Sequence, residues 1–165
     1  MLGLRPRFDL DEAAVRGAWL ERSARAHPDR AADPADAERE AAALNDAKRT
    51  LEDPERRAAA LLARLGAGPA QPERAEIPPS VLMEFLEVRE ALDEARAAGD
   101  RARVEALRGW AEERRRAHID VVAALFADAL REGPGDARSD AVRAIRRELA
   151  AWRYAERMLE QIDDL

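Results

Sequence analysis

Apolar residues recur every three to four positions along most of this chain, and the recurrences break at proline and glycine. Residues 12–26 place Val15, Ala18, Trp19 and Ala26 on one helical face, with Arg22 on the same face. Asp11 offers an N-cap and Glu12 a first-turn acid. The Arg22 stem is expected along the core edge with its head in water. Pro28 has no amide hydrogen and pushes His27 out of the helical basin, so this helix is expected to end there. Asp29 follows in a turn-forming tract that runs through Asp33 and Pro34. A second helix opens at Pro34, Ala35 and Asp36 and runs to about Leu51, with Ala41, Leu44, Ala47 or Lys48, and Leu51 inward. Glu52, Asp53 and Pro54 break it. A short helix over 55–65 turns Ala58, Leu61, Leu62 and Leu65 inward, and Gly66 is placed to end it.

Residues 67–79 are rich in Gly and Pro and have no period, which makes them the boundary between one domain over 1–66 and another over 80–165. The second domain predicts three helices. The first covers 80–98 and is closed by Gly99. The next is capped by Asp100 and reaches about 131. After a turn at Gly133, Pro134 and Gly135, the last runs from about 137, with Val142, Ile145, Leu149, Trp152 and Leu159 in one stripe. Short connections imply an antiparallel up-down-up bundle. His118 shares a stripe with Leu107, Val121 and Leu125 and reads as a core or boundary residue.

The helix over 80–98 has more apolar surface than a bundle needs. Val81, Phe85, Val88, Leu92 and Ala95 form one narrow stripe, while Leu82, Met83 and Leu86 lie well off it among Glu87, Arg89 and Glu90. An apolar patch with a charged border is what a protein partner uses. Packing under the linker or against the first domain is the other placement the pattern allows.

Composition narrows the class. Of 165 residues, 38% are charged and 47% apolar, much of the latter alanine, which favours amphipathic helices over one deep core. Eight Gly and three Phe leave little material for β-hairpins. The absence of Cys removes disulfides and thiolate metal sites, and two His cannot hold zinc without carboxylate help. No cofactor or metal is expected. A net charge of −6 argues against general nucleic-acid binding. No apolar run approaches a membrane span and no signal-peptide pattern opens the chain, so the cytosol is the expected compartment. No catalytic residue is expected either: Ser23 stands one helical turn before His27, but nothing suggests an oxyanion hole.

The motifs in order resemble a known family. The arginine-bearing helix, His27-Pro28-Asp29, Ala43-Leu44-Asn45-Asp46-Ala47 and the run Leu51-Glu52-Asp53-Pro54-Glu55-Arg56-Arg57-Ala58 resemble a J domain. Leu61-Leu62-Ala63-Arg64-Leu65-Gly66, the run from Leu82 to Glu94 and the leucine-rich last helix resemble the C-terminal domain of HscB, the J-protein co-chaperone of iron–sulfur cluster assembly. The resemblance covers nearly the whole chain and implies an all-α fold, a J-domain hairpin followed by the three-helix bundle. It implies that His27, Pro28 and Asp29 engage a DnaK/HscA-type ATPase chaperone and stimulate its ATP hydrolysis, with Arg22, Arg25 and Arg30 steering onto an acidic groove. It implies that Leu82, Met83, Leu86, Glu87, Arg89 and Glu90 bind an IscU-type scaffold protein. A J protein serving a general DnaK-type chaperone with a different client, or a structural helical adaptor, are the competing readings.

Three departures from the family pattern carry expectations. Only four residues precede Arg5 and Pro6 where the J domain usually opens with a short aromatic helix, so that helix is expected to be absent or the coding start misplaced, and its loss is expected to uncover part of the core near Trp19. Lys48 stands where an aromatic is usual, which weakens the expected packing. Arg147 stands where the last helix often carries an aromatic that completes the scaffold patch. The chain lacks the N-terminal cysteine-rich module of the eukaryotic relatives and looks like a bacterial form.

Overall fold

The computed structural model describes residues 2–26, 34–68 and 77–164. Among them the fold is all-α: α1 (Glu12–Arg25), α2 (Pro34–Glu52), α3 (Pro54–Arg64), α4 (Pro79–Ala97), α5 (Arg101–Arg131) and α6 (Asp136–Asp163). The chain divides into two compact units, Met1–Pro69 and Ala70–Leu165. Most of the Gly/Pro tract expected to link the two domains, residues 69–76, lies outside the described residues.

In the first unit, α1 begins where Asp11 accepts from the Ala13 amide and ends at Ala26, whose amide donates to the Arg22 carbonyl. It pairs with α2 as a hairpin around Leu2, Val15 and Leu44, with Leu4, Leu10, Ala18, Trp19, Ala47 and Leu51 packed alongside. The Trp19 indole donates to Asn45 Oδ1 at 3.0 Å. Ala41 is exposed, contrary to expectation; Ala37 is buried instead, 3% exposed. The inward line runs through positions 37, 44 and 51, and alanines all around this helix make its true face hard to read.

Residues 2–10 form no helix, yet they close over the hairpin: Leu2 and Phe8 are buried and Leu4 and Leu10 half-buried. An irregular segment can bury its leucines once its backbone is held, so the core near Trp19 is partly covered. It also stays partly open, as expected: a groove of about 600 Å³ is lined by Leu2, Leu4, Leu10, Ala47 and Leu51 of the same cluster.

The holding group is Arg57, the one charged side chain buried in the described structure, at 7% exposure. Its Nε donates to the Leu51 carbonyl at 2.7 Å, Nη1 to the Phe8 carbonyl at 2.6 Å and Nη2 to the Glu52 carbonyl at 3.4 Å, and its guanidinium lies 5.6 Å from the Phe8 ring centre. The last carbonyls of a helix have no partner within it; Arg57 supplies one for α2 and ties the N-terminal segment to the same point. Burial pushes its guanidinium below the ordinary arginine value, the nearby Glu12, Asp53 and Asp9 opposing that shift. Asp53 caps α3 by accepting from the Glu55 and Arg56 amides. Ala58, Leu61, Leu62 and Leu65 face inward as expected. Gly66 ends the helix at φ +78°, where a side chain would be strained, and the Ala67 amide reaches back to the Leu62 carbonyl at 2.9 Å.

The second unit is the three-helix bundle. Phe85, Leu92, Ala111, Ala155, Met158, Leu159 and Ile162 form one core, flanked by Val81, Val88, Val104, Leu107, Trp110 and Tyr154. Phe85 meets Trp110 edge-on at 5.3 Å and Tyr154 at 5.8 Å. Polar pairs set the antiparallel register of α5 and α6: Arg108 with Asp163, Arg115 Nε with Glu156 Oε1 at 3.0 Å, and His118 Nδ1 with Glu148 Oε2 at 2.8 Å. The Asp163 hydrogen bond raises the proton affinity of Arg108. His118 is a boundary residue, as its stripe implied, with its side chain 15% exposed. Val121 is not core: it is 43% exposed, and Val122, Phe126 and Ala129 are buried in its place. The buried residues of the 31-residue α5 are Ala111, Val122, Phe126 and Ala129, a line one position from the stripe read through Val121 and Leu125.

Replacing Arg57 by Met is expected to destabilise the first unit by about 2–3 kcal/mol, since three carbonyls lose a charged donor. Hydrogen exchange along residues 44–52 would report it. Protection equal to the unaltered chain would show that the guanidinium holds nothing.

Candidate functional site

Two exposed surfaces carry the residues singled out from the sequence. The first lies at the C-terminal end of α1. Arg22 and Arg25 are both exposed there. Arg25 is engaged by Glu21 one turn earlier at 2.6 Å, while Arg22 makes no ion pair among the described residues. The Arg22 guanidinium instead lies against Gly3, where a Cβ would come within 3.0 Å of its Nη2. Arg22 thus brings its head to the N-terminal segment beside Leu2 of the core, and the residue is exposed. Cations in the last turn also suit the helix dipole. His27, Pro28, Asp29 and Arg30 lie outside the described residues.

Lys48 also finds a use. Its ammonium sits 5.1 Å from the centre of the Trp19 ring and 3.3 Å from Glu52 Oε2. A cation over an indole face takes the position an aromatic neighbour would otherwise fill.

The second surface is the first half of α4. Pro78 and Pro79 start the helix without a side-chain cap, Pro79 occupying a first-turn position that needs no amide. Phe85, 4% exposed, anchors this half to the bundle. On the other side, Leu82 is 38%, Met83 54% and Leu86 44% exposed. Glu87, Arg89 and Glu90 are exposed beside them and form no ion pair among the described residues. All six sit on one surface of the helix, away from the bundle core. Sequence reasoning missed Glu84, which accepts from Arg114 of α5, whose guanidinium lies 5.6 Å from the Trp110 ring centre. A carboxylate between two apolar residues could have signalled an interhelical tie. Arg147 of α6 is exposed.

Among the described residues no cluster of His and carboxylates could hold a metal ion. No helix of the described residues is long and apolar enough to cross a membrane. The α4 surface offers apolar side chains and charges exposed together, and the end of α1 offers exposed cations.

The HSCB C-terminal oligomerisation domain profile matches residues 77–163, which is the α4–α6 bundle. The chain is 34% identical over 150 residues to a co-chaperone protein HscB homolog of Ralstonia nicotianae, covering 88% of this chain and 84% of that protein. The chain belongs to the HscB co-chaperone family. A second HscB homolog, from Azoarcus sp., is 36% identical over 170 residues, 99% of this chain and 90% of the relative. Chaperone HscB from Vibrio cholerae has a similar structure, with a TM-score of 0.67 and 26% identity over 99% of this chain and 93% of that one. Human co-chaperone HscB shares the fold at a TM-score of 0.75 and 22% identity, over 98% of this chain and 78% of the human one.

Glu84→Gln is expected to loosen the start of α4 in this HscB-family chain while costing the bundle less than about 1 kcal/mol, because the pair is partly exposed. Hydrogen exchange over residues 80–86 should quicken with little change in Tm. Unchanged exchange there would remove Glu84 from any role in setting the patch.

Proposed function

We propose that this chain is a J-type co-chaperone that stimulates the ATPase of a DnaK/HscA-type chaperone and delivers an IscU-type scaffold protein to it during iron–sulfur cluster assembly. The observation that carries the reading is the α4 surface: Leu82, Met83 and Leu86 stay exposed on a helix whose opposite face is fully packed. An exposed apolar group gains when a partner covers it, and the unpaired Glu87, Arg89 and Glu90 orient that partner.

The chemistry at the other surface belongs to the partner. His27, Pro28 and Asp29 need no nucleophile or metal; the Asp29 carboxylate accepts from a cation on the ATPase, and Arg22, Arg25 and Arg30 steer the approach to an acidic groove. Releasing Arg25 from Glu21 costs little, since an exposed pair of this kind is worth under about 1 kcal/mol. Contact of this sort biases which conformation the ATPase occupies, and the co-chaperone is itself no enzyme. Carrying both surfaces on one chain raises the concentration of scaffold at the chaperone. The reading needs neither nucleic acid nor membrane, and it places the protein in the cytosol.

Asp29→Asn is expected to abolish stimulation of the chaperone's steady-state ATP hydrolysis and leave helix content unchanged; undiminished stimulation sinks the J-protein reading. The double substitution Leu82→Ala and Leu86→Ala should weaken binding of a purified IscU-type scaffold by roughly tenfold or more, with the bundle's Tm preserved. Unweakened binding would remove the α4 patch as the scaffold site and favour a different client.

A further inference from the structure

The apolar patch on α4 contains one residue unlike its neighbours in reactivity. Met83 is 54% exposed, whereas Met158 is 5% exposed inside the bundle core; Met1 lies outside the described residues. The chain has no cysteine, so no thiol of its own intercepts a two-electron oxidant first. A thioether is soft and polarizable, and oxidation turns a flexible apolar side chain into a polar one.

We propose that Met83 is a reversible oxidation site that sets the affinity of the α4 patch for its scaffold partner, an inference that rests on the scaffold-binding reading above. The oxidant is a hydroperoxide, with hydrogen peroxide the simplest. A sulfur lone pair of Met83 attacks one peroxide oxygen and the O–O bond breaks. The sulfur keeps that oxygen as the sulfoxide, and the attacked oxygen's proton passes to the departing hydroxide. The thioether loses two electrons, and the peroxide is reduced to water.

The surroundings make this change felt at the partner rather than in the fold. Phe85 and Leu92 hold α4 to the bundle, and Met83 contributes nothing to that core. Glu87 and Glu90 stand four and seven residues on, the same side of the helix. As carboxylates they only accept hydrogen bonds, so neither can satisfy a sulfoxide oxygen when a partner's apolar surface closes over it, and Arg89, the donor on this border, stands six residues on, about 120° around the helix from Met83. An acceptor buried without a donor opposes closure. Leu82 and Leu86 cannot undergo the same chemistry, so the sensitivity resides in one position of the three.

The test uses the full chain with a purified IscU-type scaffold as the probe. The chain is treated with hydrogen peroxide, oxidation is located by peptide mass spectrometry, and affinity is measured before and after. Met83 should oxidise ahead of Met158, and the treated chain should bind at least about fivefold more weakly with unchanged helix content. A methionine sulfoxide reductase should restore the original affinity. Met83→Leu, compared with itself before and after peroxide, should show no change. A chain oxidised at Met83 that binds as before overturns the inference, and so does an equal loss in Met83→Leu. The Leu82→Ala/Leu86→Ala chain separates the two levels. If it binds weakly while Met83 oxidation has no effect, only the oxidation site falls. If it binds normally, the scaffold reading fails and the affinity control falls with it.

Discussion

A single desolvated guanidinium holds the first unit together. Arg57 reaches three backbone carbonyls from two separate stretches of chain: the end of α2 and the segment that precedes α1. A buried charge is costly unless it is fully hydrogen-bonded, and carbonyls at a helix end are costly unless something donates to them. Each problem solves the other here. The N-terminal segment therefore needs no helix of its own to stay in place, and Leu2 and Phe8 can be buried from an irregular backbone. With that segment fixed, Gly3 meets the guanidinium of Arg22, so one of the exposed cations at the end of α1 is positioned by the same arrangement.

The second unit solves a different problem: how to leave leucines in water without losing the helix that bears them. Phe85 is wedged between Trp110 and Tyr154, and Glu84 is tied to Arg114. Val81, Phe85, Val88, Leu92 and Ala95 supply the packing that keeps α4 folded. The side chains on the far side contribute little to stability and are free to serve recognition. A surface of this kind is kept by geometry, because no rotation of α4 could bury both sets at once.

How much of this could be read from the chain varied with how clearly each helix distinguishes its faces. The α4 stripe and the exposed patch beside it were legible, because bulky residues mark one side and charges the border. The caps Asp11 and Asp100 were legible too, each accepting from an amide of the helix that follows, while Asp53 was read only as part of a break and caps α3 as well. The core of α5 was placed one position away, through Val121 instead of Val122, because neighbouring apolar residues allow either line over so long a helix. Ala41 was assigned inward for a similar reason. Arg57 was invisible to a pattern that counts arginine as surface, although its position just after the Asp53-Pro54 break hinted at a role at the α2 terminus. At the end of α1, the break at Pro28 marks where the helix stops, but periodicity carries no information about how His27 and Asp29 are aimed.

The polar pairs along α5 and α6 bear on how this domain can vary in length. Arg108 and Arg115 are seven residues apart, and so are their partners Asp163 and Glu156. The two ion pairs therefore advance in step along the antiparallel helices. A one-residue insertion in either helix would rotate everything beyond it by about 100° and face Glu156 with the wrong partner. Only whole heptads, added to both helices together, preserve the match. The bundle can therefore grow or shrink across relatives by quantised steps, or by changes confined to the Gly133–Gly135 turn, where nothing depends on phase.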